Sequence, residues 1–245
     1  MDIQRATLDT CDGVRGAAVV IDVIRAFTTA AFAFAAGARE IIPVATVEEA
    51  LALRGRFQGV LAIGEVGGER PEGFDVGNSP SALVGRDLRG WRLVHRTSAG
   101  TQGLVRAARA APLLAASMTT AAATARYLRR LTLPSVTLVV TGAYAGRDGD
   151  EDAACADYLA ALLGGEAPDP APYTARVRAC QAARLFAGSP HPDFPAADIE
   201  LCAAADRFDF AMRCERRDGL LVLRAVPVRE SEPPGPQHSA GSMGS

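Results

Sequence analysis

The chain has no lysine, so all 26 of its basic residues are arginine. This excludes Schiff-base catalysis and a phosphate loop built around a lysine. Histidine is scarce, with three in 245 residues (His95, His191, His238). The five cysteines (Cys11, Cys155, Cys180, Cys202, Cys214) are odd in number and contain no pair with a two-residue gap. A zinc knuckle is therefore not expected, and the thiols read as buried bystanders. Any metal site has to be built from carboxylates, which favour a hard ion such as Mg2+. No apolar run reaches the roughly 20 residues that span a bilayer, and the first residues lack a basic-then-apolar leader. A cytoplasmic protein without a membrane partner is expected. An excess of one charge is also missing: 26 basic against 28 acidic residues leave a net charge of -2. With no global field to hold a polyanion, nucleic acid is not an expected partner.

What is present is an ordinary globular composition, 49% hydrophobic and 22% charged, in a chain long enough for a well-filled core. Short apolar runs at 17–21, 41–45, 60–64, 91–95, 113–116 and 135–140 predict strands, several buried on both faces. Between them lie helical stretches: 28–37, 46–54 with a Thr46/Glu49 capping box, 101–110, 119–130 and 150–163. Strand–helix alternation predicts a layered α/β/α sandwich with a mostly parallel sheet. Stretches 18–54 and 92–130 share one layout, so two similar βαβα halves (1–85 and 86–228) are one reading and ordinary α/β periodicity the other. An exposed loop at 164–173, a helix at 174–187 and a hairpin of 208–214 with 220–226 complete a single unit, 1–228. Residues 229–245 have the composition of a disordered tail.

In open α/β sheets ligands gather beyond the carboxyl ends of strands, and four polar clusters fall there. The first is Asp22-Val23-Ile24-Arg25 with Thr28 and Thr29 at a helix start. It suits a metal–phosphate pair or, equally simply, a structural ion pair. The second, Gly64 to Pro80, is a long acidic, glycine-rich loop containing Glu65, Asp75, Asn78 and Ser79; a loop of this length in a compact domain is usually functional. The third, His95 to Gly103, offers hydroxyls and amides beside Arg96 as a generic anion nest. The fourth, Gly142 to Asp152, ends in four acids within five residues; a solvated helix N-terminus explains it as well as a site does. The sequence has no cysteine phosphoenzyme loop and no Arg-His-Gly triplet. Asp148-Gly149-Asp150 lies well past its strand and lacks the residues that follow in aspartyl phosphoenzymes. Phosphoryl transfer to water on a carboxylate-held metal with arginine clamps remains, alongside mechanisms outside these classes.

Asp22-Val-Ile-Arg-Ala-Phe-Thr-Thr, Pro71-Glu-Gly-Phe-Asp-Val-Gly-Asn-Ser-Pro80, the Arg96-Thr-Ser-Ala-Gly-Thr101 turn and Glu151-Asp152 together closely resemble the 2-phosphosulfolactate phosphatase family, over residues 1 to 228. The resemblance implies an α/β fold and Mg2+-dependent hydrolysis of 2-phosphosulfolactate to sulfolactate and phosphate, a step on the coenzyme M route. On that reading Asp22, Glu65 and Asp75 are catalytic, and with Asp152 they supply the metal ligands. Arg25, Asn78, Ser79, Arg96, Thr97, Ser98, Gly100 and Thr101 hold the small anionic phosphoester. Many family members read Asn-Gly-Thr where this chain has Ala99-Gly100-Thr101. Two other readings stand beside it: a phosphatase for other small phosphorylated hydroxyacids, and a non-catalytic small-anion-binding protein. Carboxylates at three strand ends argue against the last. The reading leaves room for a homodimer.

Overall fold

The computed structural model describes residues 1–143 and 146–228; the tail at 229–245 lies outside the described residues. Nine strands form one sheet: β1 (Asp2–Thr7), β2 (Ala17–Ile21), β3 (Glu40–Pro43), β4 (Val60–Gly64), β5 (Arg92–Arg96), β6 (Leu113–Ala116), β7 (Ser135–Val140), β8 (Phe210–Arg217) and β9 (Leu220–Pro227). Their spatial order is β1-β7-β2-β6-β8-β9-β3-β5-β4. The α/β reading holds, and the topology adds what the sequence pattern does not reveal. The C-terminal hairpin β8–β9 is the centre of the sheet, with one parallel group, β1-β7-β2-β6, on one side and another, β3-β5-β4, on the other. Both junctions, β6–β8 and β9–β3, are antiparallel.

The helices are α1 (Ala26–Ala35), α2 (Val47–Arg56), α3 (Gly100–Arg106), α4 (Ala121–Arg129), α5 (Asp150–Gly164), α6 (Ala171–Ala179), α7 (Gln181–Arg184) and α8 (Ala197–Cys202). Strand alternation sorts the core into layers. Ala18 and Val20 of β2, Ile41 of β3 and Leu93 of β5 pack in one cluster with Phe27 of α1 and Leu104 of α3. On the other face Val19 and Ile21 meet α4 and α5, while Ile42 and Val94 meet α2. Three antiparallel steps reverse the second strand group relative to the first, yet the start of α3, reached from β5, lies against the end of β2. A Cβ placed on Gly100 would lie 2.7 Å from Asp22 Oδ2. Helix α3, which follows β5, packs on β2 with Gly103 against Val20, and this carries its start to Asp22.

Half of the expected capping box forms: Thr46 Oγ1 accepts the Glu49 amide at 3.1 Å, while Glu49 Oε2 accepts the amide of Ala45, at 3.2 Å, in place of that of Thr46. The helix expected at 174–187 is instead two, because Cys180 is extended (φ -63°, ψ 164°) and its Sγ caps the start of α7 by accepting the Ala183 amide. Strand β1 escapes the apolar-run criterion because it is a largely exposed edge strand, DIQRAT. Helix α8, six residues after Pro195, carries no strong periodicity.

The hairpin is tied to the β3–β5 group by a buried carboxylate. Glu40 lies between Arg92 on β5 and, through the register that sets Ile41 against Leu223, Arg224 on β9. Arg92 Nε donates to Glu40 Oε1 at 2.6 Å and Arg224 Nη2 to Oε2 at 2.5 Å. Burial works to raise the Glu40 pKa, but the hydrogen bonds from Arg224 and Arg92 prevail and hold it below the ordinary glutamate value. A folded-state pKa below the unfolded one stabilises the fold above the unfolded value and loses that contribution as pH falls. Glu40→Gln should cost about 3 kcal/mol, the low end for breaking a buried pair because the arginines are partly exposed. Urea unfolding at neutral pH checks this, and the difference between the two proteins should shrink below the ordinary glutamate range.

Candidate active site

Asp22 is the residue immediately after β2. Its Oδ1 accepts the Ala26 amide at 2.9 Å, at the start of α1, and the Gly100 amide at the start of α3 also donates to this carboxylate. Helix starts with free amides favour an anion here, and the lack of a Cβ on Gly100 allows the approach. Burial, opposed by the amide bonds and assisted by the charges of Glu65 and Glu151, raises the Asp22 pKa to about 7.

Glu65 arrives from the other strand group. Gly64 sits at φ +136°, and any Cβ there would collide with the Arg96 carbonyl oxygen, so β4 and β5 can close together only at a glycine. Both Glu65 side-chain oxygens are then committed: the Ser98 amide donates to Oε1 at 2.5 Å, and Oε2 accepts the Gly68 amide at 2.6 Å and the Ser98 hydroxyl at 3.0 Å. Asp152, on the first turn of α5, clamps the ends of β2 and β7. Its Oδ1 accepts the Val23 amide at 2.7 Å, and its Oδ2 accepts the Gly142 amide at 2.7 Å and the Thr141 amide at 3.1 Å. Burial and the charges of Glu151 and Asp22 raise its pKa, with the amide bonds opposing. Among the described residues no group of three or more His, Cys, Asp or Glu is placed to ligate one ion together.

Glu151 is different. It is 3% exposed, and its Oε2 has no hydrogen-bond partner. The Cys180 thiol donates to this carboxylate, whose pKa is raised chiefly by burial and further by Asp148. The sequence pairs Glu151 with Asp152 as two neighbouring acids; the fold turns Asp152 into backbone clamping and leaves Glu151 the uncommitted oxygen.

A cavity of about 50 Å³ is bounded by Asp22, Arg25, Glu65, Asn78, Ala99 and Arg147, and closed by Ala182, Leu185, Phe186 and Phe194. Of the residues expected to hold an anion, Arg25 and Asn78 reach this wall. The Arg25 guanidinium is already paired: Nη1 donates to Asp198 Oδ2 at 2.9 Å, with the two side chains 3% and 0% exposed, and to the Asp193 carbonyl at 2.6 Å. Its guanidinium carbon lies 4.8 Å from the centre of the Phe186 ring. Asn78 Oδ1 lies 3.3 Å from His95 Nε2, and burial pushes the His95 pKa down to about 3. The imidazole is therefore neutral throughout the physiological range.

The structure does not bring the remaining candidates to this wall. Asp75 forms a two-pronged ion pair with Arg54, Nε to Oδ2 and Nη2 to Oδ1 at 2.7 Å each, and its Oδ2 accepts the Ala62 amide at 2.8 Å. This fastens α2 to β4. Burial raises the Asp75 pKa, but the Arg54 and Ala62 bonds outweigh it and leave it lowered. Ser79 Oγ donates to Asp198 Oδ1 at 2.9 Å, so it supports the partner of Arg25. Arg96 Nη1 donates to the Glu65 carbonyl at 2.8 Å, inside the loop junction. Thr97 and Thr101 bond each other's amides at 3.0 and 2.8 Å, closing the start of α3. Ser98 supports Glu65 as above, and Gly100 makes room for Asp22.

Sequence reasoning left out Glu151 as a site residue, along with Arg147, Asp198 and the Phe186/Phe194 wall. Arg147 stands within the acidic cluster and its sign alone marks it. The wall residues carry no sequence signal, because only the fold brings 182–194 across the ends of β2 and β4.

The family model for 2-phosphosulpholactate phosphatase matches residues 4–216. A protein of Bacillus subtilis (strain 168) named "Probable 2-phosphosulfolactate phosphatase" is 32% identical over 211 residues, 86% of this chain and 92% of its own. Proteins of the same name from Carboxydothermus hydrogenoformans and Thermus thermophilus are 41% and 40% identical, each over 60% of this chain and covering 60% and 61% of their own length.

A Glu pKa raised by folding means that ionising Glu151 costs stability as pH rises past the ordinary glutamate value. Glu151→Gln should therefore raise Tm by several degrees at pH 8, since a shift of 1 kcal/mol moves Tm by about 2–4 °C in a chain of this size. The gain should fade toward pH 4. Calorimetry across this range checks it; an equal or lower Tm at pH 8 would show that the carboxylate is already compensated.

Proposed function

The chain belongs to the 2-phosphosulfolactate phosphatase family, a family of phosphoric monoester hydrolases, and from that premise we propose that it hydrolyses 2-phosphosulfolactate to sulfolactate and phosphate with Mg2+. The observation that carries the reading is the cavity walled by Asp22, Glu65, Arg25 and Arg147, with the buried Glu151 in electrostatic reach of Asp22. Among the described residues, Asp22, Glu65, Glu151 and Asp152 are all buried, and the only buried side-chain carboxylate oxygen without a hydrogen-bond partner belongs to Glu151. That orphaned oxygen, in electrostatic reach of Asp22, fits a small hard cation, which typically takes one or two carboxylates and keeps water for its other positions. Glu151 would hold Mg2+, with Asp22 adding charge; when bound, the ion neutralises charge on the phosphoryl oxygens. Asp75 takes no part in holding Mg2+ on this reading, because both its oxygens serve Arg54.

Asp22, with its pKa near 7, is the group that orients the attacking water and takes its proton. Arg25 and Arg147 are the cations on the wall, and a substrate with a phosphate and a sulfonate needs two. Arg96 is committed to the Glu65 carbonyl, and Arg147 stands on the wall in its place. Planar guanidinium forks suit both oxyanions. A cavity of about 50 Å³ has room for an ion and a few waters but not for this substrate. Binding therefore requires the 182–194 wall to move outward. The methyl group of Ala99 on the pocket wall favours a second reading, a looser phosphatase that accepts phosphorylated hydroxyacids without a sulfonate.

Phosphate release from 2-phosphosulfolactate, measured with Mg2+ and with excess chelator, tests the proposal. Turnover should depend on the ion and fall about a hundredfold or more in Asp22→Asn, as for loss of a general base. Full turnover in chelator would remove Mg2+ from the account. Equal kcat/KM for phospholactate would establish the looser specificity, and no release from either ester would leave an anion-binding protein.

A further inference from the structure

The second arginine cluster lies at the opposite end of β5 from Arg96, on the sheet face that carries α2. A cavity of about 370 Å³ opens there, lined by Arg56, Arg92, Arg217 and Arg224 around the buried Glu40, with Phe57 and the aliphatic Ile42, Leu220 and Val222 as its floor. Asp218, at the hairpin turn, also lines it. Strand alternation explains the gathering. Glu40 and Ile42, Arg92, and Leu220, Val222 and Arg224 all point to one face. Next to them α2 ends with Arg56 and is followed by Phe57. The Arg56 and Arg92 guanidinium carbons lie 5.3 and 5.1 Å from the Phe57 ring centre, which holds both side chains in place.

The charges do not cancel. Glu40 carries one negative charge and is shared by Arg92, Arg224 and Arg39. Arg217 pairs with Glu215, which it shares with Arg213. Arg56 forms no ion pair with a carboxylate among the described residues. Four guanidinium groups against Glu40 and Asp218 leave the lining with an excess of two positive charges, in a chain whose net charge is -2. The cavity has the volume of a small-metabolite site, and its donors are the planar forks that grip phosphate and sulfonate two bonds at a time.

We propose that this cavity is a second, non-catalytic binding site for a small polyanion bearing phosphate or sulfonate groups. It is separate from the acidic pocket and stands whether or not the reading of that pocket survives. Its concavity and its apolar floor fit a metabolite better than the extended backbone of a nucleic acid, which would need a basic stripe rather than a pit. Released inorganic phosphate and a larger phosphorylated metabolite share this chemistry, so the test uses one probe for each.

Isothermal titration of the full chain with inorganic phosphate and, separately, with inorganic pyrophosphate, both in excess chelator, reads the site without loading the carboxylate pocket. Pyrophosphate should bind with one equivalent per chain and weaken as salt is added. Its affinity should fall tenfold or more in Arg56→Gln and in Arg217→Gln, while Tm and phosphate release in the active-site assay stay at the wild-type level. Tighter binding of phosphate than of pyrophosphate would identify the released product as the ligand class; the reverse would identify a larger polyanion. No binding of either probe, or binding unchanged in both variants, overturns the proposal, as does tighter retention of an acidic polymer such as polyglutamate than of either probe.

Discussion

Four carboxyl groups buried within one another's electrostatic reach constrain this protein more than any other interaction. Asp22, Glu65, Glu151 and Asp152 are each buried, and like charges in a low-dielectric setting cost several kcal/mol unless something compensates them. The fold answers with backbone amides. Asp152 takes those of Val23, Thr141 and Gly142; Glu65 takes those of Gly68 and Ser98; Asp22 takes those of Ala26 and Gly100. Glu151 takes its own amide and the Cys180 thiol but keeps Oε2 without a partner, and that is the oxygen the proposed ion would take.

The amides are available because the sheet delivers strand ends to one place. A hairpin from the far end of the chain is inserted between two parallel groups, and α3, which follows β5, packs on β2 with its start against Asp22. Two glycines make the approach sterically allowed: Gly100 against Asp22 and Gly64 against the Arg96 carbonyl. The same hairpin creates the arginine-lined cavity on the other face, since Arg224 reaches Glu40 only from the central position of β9.

Much of this was legible in the residues. Short apolar runs marked the buried strands, and Thr46 and Glu49 marked a helix start correctly. Asp22, Glu65, Arg25 and Asn78 were placed at strand ends, and the structure gathers them around one pocket, while Asp152 clamps the strand ends behind it. What escaped was set by tertiary partners. Asp75 sits in the motif most characteristic of the family, yet Arg54 from α2 occupies both its oxygens. Arg96, Thr97 and Thr101 look like an anion nest because hydroxyls and guanidinium groups satisfy backbone as readily as ligand, and only coordinates distinguish the two. The break at Cys180 packs with Ile24 and Ile199, and the wall at 182–194 rests on Arg25 through Phe186 and Phe194, contacts that no local pattern encodes.

The central claim is that mutual repulsion among buried carboxylates is relieved by a divalent cation at Glu151. Thermal unfolding of the full chain as a function of Mg2+ concentration tests it directly, because a ligand that binds only the folded state stabilises it by RT ln(1 + [L]/Kd). The account predicts a Tm that rises with Mg2+ above the dissociation constant at pH 8 and a response abolished by Glu151→Gln. A wild-type Tm indifferent to Mg2+, or a rise that persists undiminished in the variant, would contradict it.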